Sequence, residues 1–127
     1  MDWEPITRGK PDVRGVNPQY EGLLDVDIPL DRMPPPEWAR AFQNPTGVGI
    51  PMSMHPPELQ GASVHIRPPD DELGKYVAHV DERIRHANES YERDALPQLK
   101  AAGEREIADQ EEERRRLEEA RRKAEEL

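Results

Sequence analysis

The chain has 127 residues, a formal net charge of -9 and a pI near 4.9, with 34% hydrophobic and 35% charged residues. This length fits one domain with extensions, because single domains cluster near ~100–150 residues. The negative field makes nucleic acid and anionic membranes unfavourable partners. The absence of cysteine excludes disulfides, thiolate nucleophiles and cysteine-based metal sites, and we expect no cofactor.

The N-terminal sequence, MDWEP, lacks the basic and then apolar plan of a signal peptide. No apolar run approaches the ~20 residues that a membrane-spanning helix needs. We therefore expect a cytoplasmic protein without membrane contact. Arginine outnumbers lysine 14 to 4, a codon preference typical of GC-rich bacterial or phage genomes.

Residues 1–20 predict an irregular arm, since prolines and glycines recur there and no apolar period is present. Trp3 is an exception in this polar segment. Such a tryptophan either packs on its own domain or marks a contact with a partner. The sequence leaves both interpretations open.

Alternation of apolar and polar residues predicts a half-buried strand over residues 23–30. Asp25 and Asp27 project from the outer face of this strand. The triple proline at 34–36 then ends the strand and introduces a short helix over residues 37–43, because proline is favoured in the first helical turn.

Two further strands are predicted after this helix. The first covers residues 48–54, where Pro51 indicates an edge position. The second covers residues 62–67, with His65 facing outward. A loop over residues 55–61 connects them.

The strongest helix signal covers residues 71–96. Its apolar residues step by 4, 3, 4, 3 and 4 positions, which is the spacing of one buried helix face. Pro97 predicts a kink or a break at about Leu96, because proline lacks an N–H group and clashes with the preceding turn. The residues of this face are Leu73, Val77, Val80, Ile84, Ala87 and Tyr91.

Together these elements predict an α+β fold. A small three-stranded, mainly antiparallel sheet in β-α-β-β-α order resembles a split βαβ unit and precedes a long charged C-terminal helix. The expected organisation is an irregular arm over residues 1–20, a compact α+β module over 21–96 and a charged helical extension over 97–127. The predicted core is Leu24, Val26, Ile28, Leu30, Trp38, Phe42, Val64, Ile66, Leu73, Val77, Val80 and Ile84.

Residues 104–127 contain ten acidic and seven basic side chains. Several glutamates precede a basic residue by four positions, and each such pair stabilises a solvated helix by ~0.2–0.5 kcal/mol. A weak apolar seam in the same segment indicates a coiled coil if a partner covers it. The predicted partner-binding residues are Trp3, Tyr91, Leu117, Ala120, Ala124 and Leu127.

Motifs for nucleotide binding, for hydrolases and for metal binding are absent from the sequence. The best metal candidate is His79, Glu82 and His86, whose spacing places them on one helical face. The heptad pattern directs this face toward solvent, which favours ordinary surface side chains.

Two other groups of residues could carry chemistry. Asp25 and Asp27 could form a two-acid or ligand-binding site with His65, although outward acids also protect a strand against edge pairing. The basic triplet at 114–116 could contact nucleic acid, but neighbouring glutamates compensate its charge.

We predict a non-enzymatic protein–protein interaction, assembly or accessory protein, in which an acidic module carries a helical spacer or docking tail. Its partner would be another protein or a second copy of this chain, which would make it a homo-oligomer. One alternative is a small ligand-binding or hydrolytic domain that uses Asp25, Asp27 and His65. Another is a nucleic-acid-associated regulator that acts through Arg114, Arg115 and Arg116.

Overall fold

The computed structural model describes residues 3–45 and 54–127. The α+β class and the long C-terminal helix are confirmed. The elements in chain order are β1 (Asp12–Val16), β2 (Leu24–Pro29), α1 (Pro36–Gln43), β3 (Glu58–Gln60), β4 (Ser63–Ile66), a 3-10 turn (Asp70–Glu72), α2 (Leu73–Ser90), a π-helical turn (Tyr91–Ala95) and α3 (Leu96–Glu126).

The strands form one sheet in the order β1-β2-β4-β3, with every neighbouring pair antiparallel. Since β2 and β3 are both antiparallel to β4, they run in the same direction on either side of it, and α1 lies between them in the chain. In the central pair, Val26 lies opposite Ile66 and Ile28 lies opposite Val64. All four side chains are buried, so this face of the sheet forms the core.

The predicted number of strands is wrong, because residues 3–45 and 54–127 already contribute four strands to the sheet rather than three. β1 lies in the segment that was expected to be irregular, and all five of its residues are exposed. An edge strand of this kind is held by backbone pairing to β2, which any residue except proline can provide, so it carries no apolar alternation.

The region before β4 also differs from the expectation. The predicted strand over residues 48–54 lies outside the described residues except for Met54. The strand that pairs with the outer edge of β4 is β3, in a segment predicted to be a loop. Its turn into β4 contains Gly61 at a φ of +62°, a left-handed conformation that glycine adopts without strain.

Helix α1 begins with Pro36 in its first turn, as the triple proline predicted. Its two aromatic side chains, Trp38 and Phe42, are fully buried, and their rings stack with centroids 5.5 Å apart. They belong to the same buried cluster as the inner residues of β2 and β4. The module therefore has one core between its sheet and its helices.

The buried face of α2 is rotated relative to the predicted one. Leu73 and Val77 are only partly buried, whereas Tyr76 and Arg83 lie in the interior. Contact with α1 explains this rotation, because the Arg83 Nη1 donates a 3.0 Å hydrogen bond to the Phe42 carbonyl at the end of α1. The buried residues of α2 are Tyr76, His79, Val80, Arg83, Ile84 and Ala87.

Helical geometry continues from α2 into α3. The interruption predicted near Leu96 takes the form of a π-helical turn, in which the Leu96 N–H donates to the Tyr91 carbonyl five residues earlier. Pro97 then occupies the first turn of α3, the position in a helix at which the missing N–H of proline costs least. The 31 residues of α3 span ~46 Å, and none of them is buried.

The N-terminal segment is pinned to the helices through Asn88. Its Oδ1 accepts 2.9 Å hydrogen bonds from the Ile6 N–H and from the Trp38 indole Nε1, and its Nδ2 donates to the Ile6 carbonyl at 3.0 Å. Ile6 is 1% exposed and belongs to the core. One side chain of α2 thus joins the N-terminal segment, α1 and α2.

Candidate functional site

Three side chains meet on the outer face of the sheet, the face opposite the core. Residues Asp27 and His65 are direct partners in the register of β2 and β4. The His65 Nδ1 lies 2.9 Å from the Asp27 Oδ1, and the His65 Nε2 lies 3.4 Å from the Asp25 Oδ1. We call Asp25, Asp27 and His65 the sheet-face cluster. The structure therefore brings together the three residues that the sequence proposed for a ligand site.

Polar neighbours fix both carboxylates of the sheet-face cluster. The Asn17 Nδ2 donates a 2.9 Å hydrogen bond to Asp25, and the Arg14 Nε donates a 3.0 Å hydrogen bond to Asp27. The hydrogen bond from His65, together with that from Arg14, holds the pKa of Asp27 below its usual value despite partial burial. Asp27 is therefore an ionised acceptor at neutral pH.

The chemistry open to the sheet-face cluster is narrow. Both ring nitrogens of His65 face a carboxylate oxygen, so among the described residues no hydroxyl is bonded to the ring as a nucleophile. The cavity beside His65, which Glu58 and Arg67 also line, holds about 40 Å³, whereas small-molecule sites hold ~300–1,000 Å³. The sheet-face cluster therefore has the geometry of a hydrogen-bonded polar network on the surface of the sheet.

The predicted metal candidate on α2 is not assembled. His79 was expected to face solvent and is instead 7% exposed, with its Nε2 accepting a 3.0 Å hydrogen bond from the Arg83 Nε. Burial, reinforced by the charge of Arg83, lowers the pKa of His79, so its ring is neutral. Glu82 is exposed and His86 is half-buried. A search of residues 3–45 and 54–127 finds no cluster of three potential metal ligands.

Arg83 itself is 1% exposed, a degree of burial that is rare for a charged side chain. It lies at the C-terminal end of α1, where a cation is favoured by the unpaired carbonyls. Its guanidinium carbon also sits 5.8 Å from the centre of the Phe42 ring. Sequence periodicity could not identify this residue, because a buried arginine breaks the pattern that defines a helix face.

Trp3 packs on its own domain, which is one of the two interpretations left open by the sequence. Its ring lies 4.2 Å from that of Tyr91, centroid to centroid, and its Nε1 donates a 2.9 Å hydrogen bond to Glu92. The Arg32 guanidinium stacks above it at 4.9 Å. Because Tyr91 is only 4% exposed, it offers little surface to a partner.

An open groove of about 820 Å³ runs between α1 and the junction of α2 with α3. Apolar side chains such as Tyr91 and Leu99 line it together with the charged Arg40 and Asp94. The groove therefore mixes apolar, acidic and basic surface along its length.

The remaining predicted partner-binding residues lie at the C-terminal end of α3, with Leu127 immediately after its last residue, Glu126. Leu117 is 52% exposed, and the other three, Ala120, Ala124 and Leu127, are also exposed. We call these four residues the C-terminal seam. Beside the seam, the Arg116 Nη2 lies 3.4 Å from the Glu112 Oε1. This ion pair has the spacing of four positions that the sequence shows for the glutamates of this segment.

Comparisons of the chain with protein-family models, with curated proteins and with solved structures found no match. Within the described ranges, no helix combines the length and the apolar character needed to cross a bilayer.

Proposed function

We propose that this protein is a non-enzymatic interaction or assembly protein. In this proposal, the acidic α+β module anchors the long helix, and the exposed end of α3 binds another protein. The observation that carries the proposal is α3 itself. This helix has 31 residues, none of them buried, and it continues from α2, whose inner face is part of the core.

The junction of α2 with α3 supports this interpretation. Ala87 is fully buried and Tyr91 is nearly so, and the π-helical turn then joins α2 to α3 without a flexible linker. Because a continuous helix is stiff, the direction of α2 at the junction sets the direction of α3, so the module determines where the end of α3 points. This suits a spacer or a docking arm better than a loose tail.

The exposed apolar side chains of α3 give a second argument. Leu117 contributes little to the stability of the isolated chain, because about half of its surface stays in water. Covering a large aliphatic side chain contributes about 1.5–3 kcal/mol. Leu117, and Leu127 directly after the helix, would therefore stabilise a complex far more than they stabilise the free protein.

Site-specific photocross-linking in the native cell tests this proposal. A photoreactive amino acid would replace Ala124, in the C-terminal seam, or Glu126, which is equally exposed and lies on another face of the helix. We expect a discrete cross-linked product from position 124 and a much weaker one from position 126. No product from position 124, or equal products from both positions, would contradict the proposal.

A ligand-binding or hydrolytic role for the sheet-face cluster is the second candidate, and the 2.9 Å contact between His65 and Asp27 favours it. Hydrolysis of an activated ester by the intact protein and by His65→Gln separates the two functions. If both proteins hydrolyse the ester at the same rate, His65 has no catalytic role and the hydrolytic form of the second candidate is withdrawn.

A further inference from the structure

The charges around the C-terminal seam follow a pattern that identifies a kind of partner. With Leu117 and Ala124 at heptad position a, Ala120 and Leu127 fall at position d. The residues that flank the seam at positions e and g are all basic: Arg114, Arg116, Arg121 and Lys123. The four glutamates of the same two heptads fall at positions b and c, away from the seam: Glu118, Glu119, Glu125 and Glu126.

We propose that the C-terminal seam binds a helix of another protein whose flanking e and g positions are acidic. This inference deepens the proposed function and rests on it, since it names the chemistry of the partner. In a two-stranded coiled coil, e and g side chains face those of the partner helix and determine which helix is accepted. Basic flanks therefore select acidic ones.

The same pattern disfavours a second copy of this chain. In a parallel pair, position g faces position e of the next heptad, which sets Arg116 against Arg121 of the other copy. In an antiparallel pair, e faces e and g faces g, which again brings cations together. Like charges in an interface are costly in either orientation, so the seam is built for a heterotypic pair.

The seam also disfavours two anionic partners that could attract the same cations. Phosphate backbones bind through a continuous basic surface and do not cover Leu117 or Leu127. A membrane surface needs a broad apolar face with large side chains, whereas two of the four residues of the seam are alanine. The four glutamates and the net charge of -9 repel both kinds of extended polyanion, while a single acidic helix contacts only the basic edges.

The apolar content of residues 114–127 sets the strength expected of the contact in this segment. Residues 114–127 cover two heptads, of which Leu127 directly follows the last residue of α3, and Glu113 at the preceding d position bounds the seam on its N-terminal side. Two leucines and two alanines bury a modest area. The complex should therefore be reversible and sensitive to salt, because its specificity depends on charge pairs at the rim.

The test uses the full chain and a labelled synthetic helix of three heptads with leucine at a and d and glutamate at e and g. A second probe carries lysine at e and g. Fluorescence anisotropy at low ionic strength should show binding of the acidic probe and none of the basic probe. Sedimentation of the full chain alone should show a monomer.

Paired charge reversals make the test specific. R116E/R121E changes the flanks of the seam, while R115E/R122E makes the same change in net charge at position f, on the opposite side of the helix. The flank variant should bind the acidic probe about tenfold or more weakly and should gain affinity for the basic probe. The control variant should change little. Circular dichroism would establish that both variants retain the helix.

The inference is overturned if the acidic probe does not bind, or if both double variants weaken its binding equally. It is also overturned if the full chain forms a dimer that Leu117→Asp dissociates, or if the chain binds DNA or anionic vesicles more tightly than the acidic probe. Photocross-linking separates this inference from the proposed function. If position 124 cross-links a native protein while the acidic probe fails to bind, the interaction role stands and the partner chemistry is wrong.

Discussion

Asn88 is the residue whose removal should most clearly test how the module is held together. Asn88→Ala leaves three groups without partners: the Ile6 N–H, the Ile6 carbonyl and the Trp38 indole N–H. Ile6 and Trp38 are 1% and 0% exposed, so water replaces these hydrogen bonds poorly. A buried polar group that loses its partner costs ~1–3 kcal/mol. Taking the lower value for each, we expect a loss of about 3 kcal/mol in the free energy of unfolding.

Urea denaturation followed by circular dichroism and tryptophan fluorescence measures this loss. Glu89→Ala, at the exposed neighbouring position, is the matched control and should change the free energy of unfolding by less than about 0.5 kcal/mol. A double-mutant cycle with Trp38→Phe isolates one hydrogen bond, because phenylalanine keeps a ring but lacks the indole N–H. The coupling energy should be about 1 kcal/mol.

A loss below about 1 kcal/mol for Asn88→Ala would refute this reasoning, because it would fall within the range of a single hydrogen bond. A coupling energy near zero would show that the indole N–H is not bonded to Asn88 in solution. Either result would mean that the N-terminal segment is not held against α2 by this side chain.

Three further predictions concern pH, backbone conformation and the tail. The hydrogen bond from His65 lowers the pKa of Asp27 below 3.8, so the stabilisation by this carboxylate is present above that value and is lost as the pH falls through the lower pKa of the folded state. Between about pH 5 and pH 2, the wild type should lose more stability in urea titrations than Asp27→Asn, and equal losses would contradict the network. Gly61→Ala should cost about 1 kcal/mol, because its φ of +62° is strained for alanine. Gly74→Ala, in the first turn of α2 and free of close contacts, should instead stabilise by up to about 0.5–1 kcal/mol, and thermal denaturation that ranks the two variants otherwise would be inconsistent with the backbone described. Ending the chain at Gly103 should change the stability of the module by less than about 0.5 kcal/mol, since every residue that is removed is exposed, and a larger loss by calorimetry would show that residues 104–127 pack on the module.

In the sheet-face cluster, the sequence pattern predicted the direction of the side chains but not their contacts. Alternation along the sequence placed Asp25, Asp27 and His65 on outward faces, because successive residues of a strand point to opposite sides. Only the register between β2 and β4 made Asp27 and His65 direct partners. A shift of one residue would have separated them, and the register of two strands so far apart in the chain depends on how their buried side chains pack.

Local sequence determined the elements that carry a strong periodic signal. Alternation defined the inner faces of β2 and β4, the triple proline set the start of α1, and the spacing of glutamate and arginine by four positions predicted the exposed part of α3.

Tertiary structure decided the features without such a signal. β1 and β3 form because neighbouring strands offer backbone partners, which any residue except proline can use. His79 and Arg83 are buried where α2 meets α1, beside Val80, Ile84 and Ala87 of the predicted apolar face. The physical reason is the same in each case: periodicity records what a residue prefers by itself, whereas burial and pairing depend on which surfaces meet.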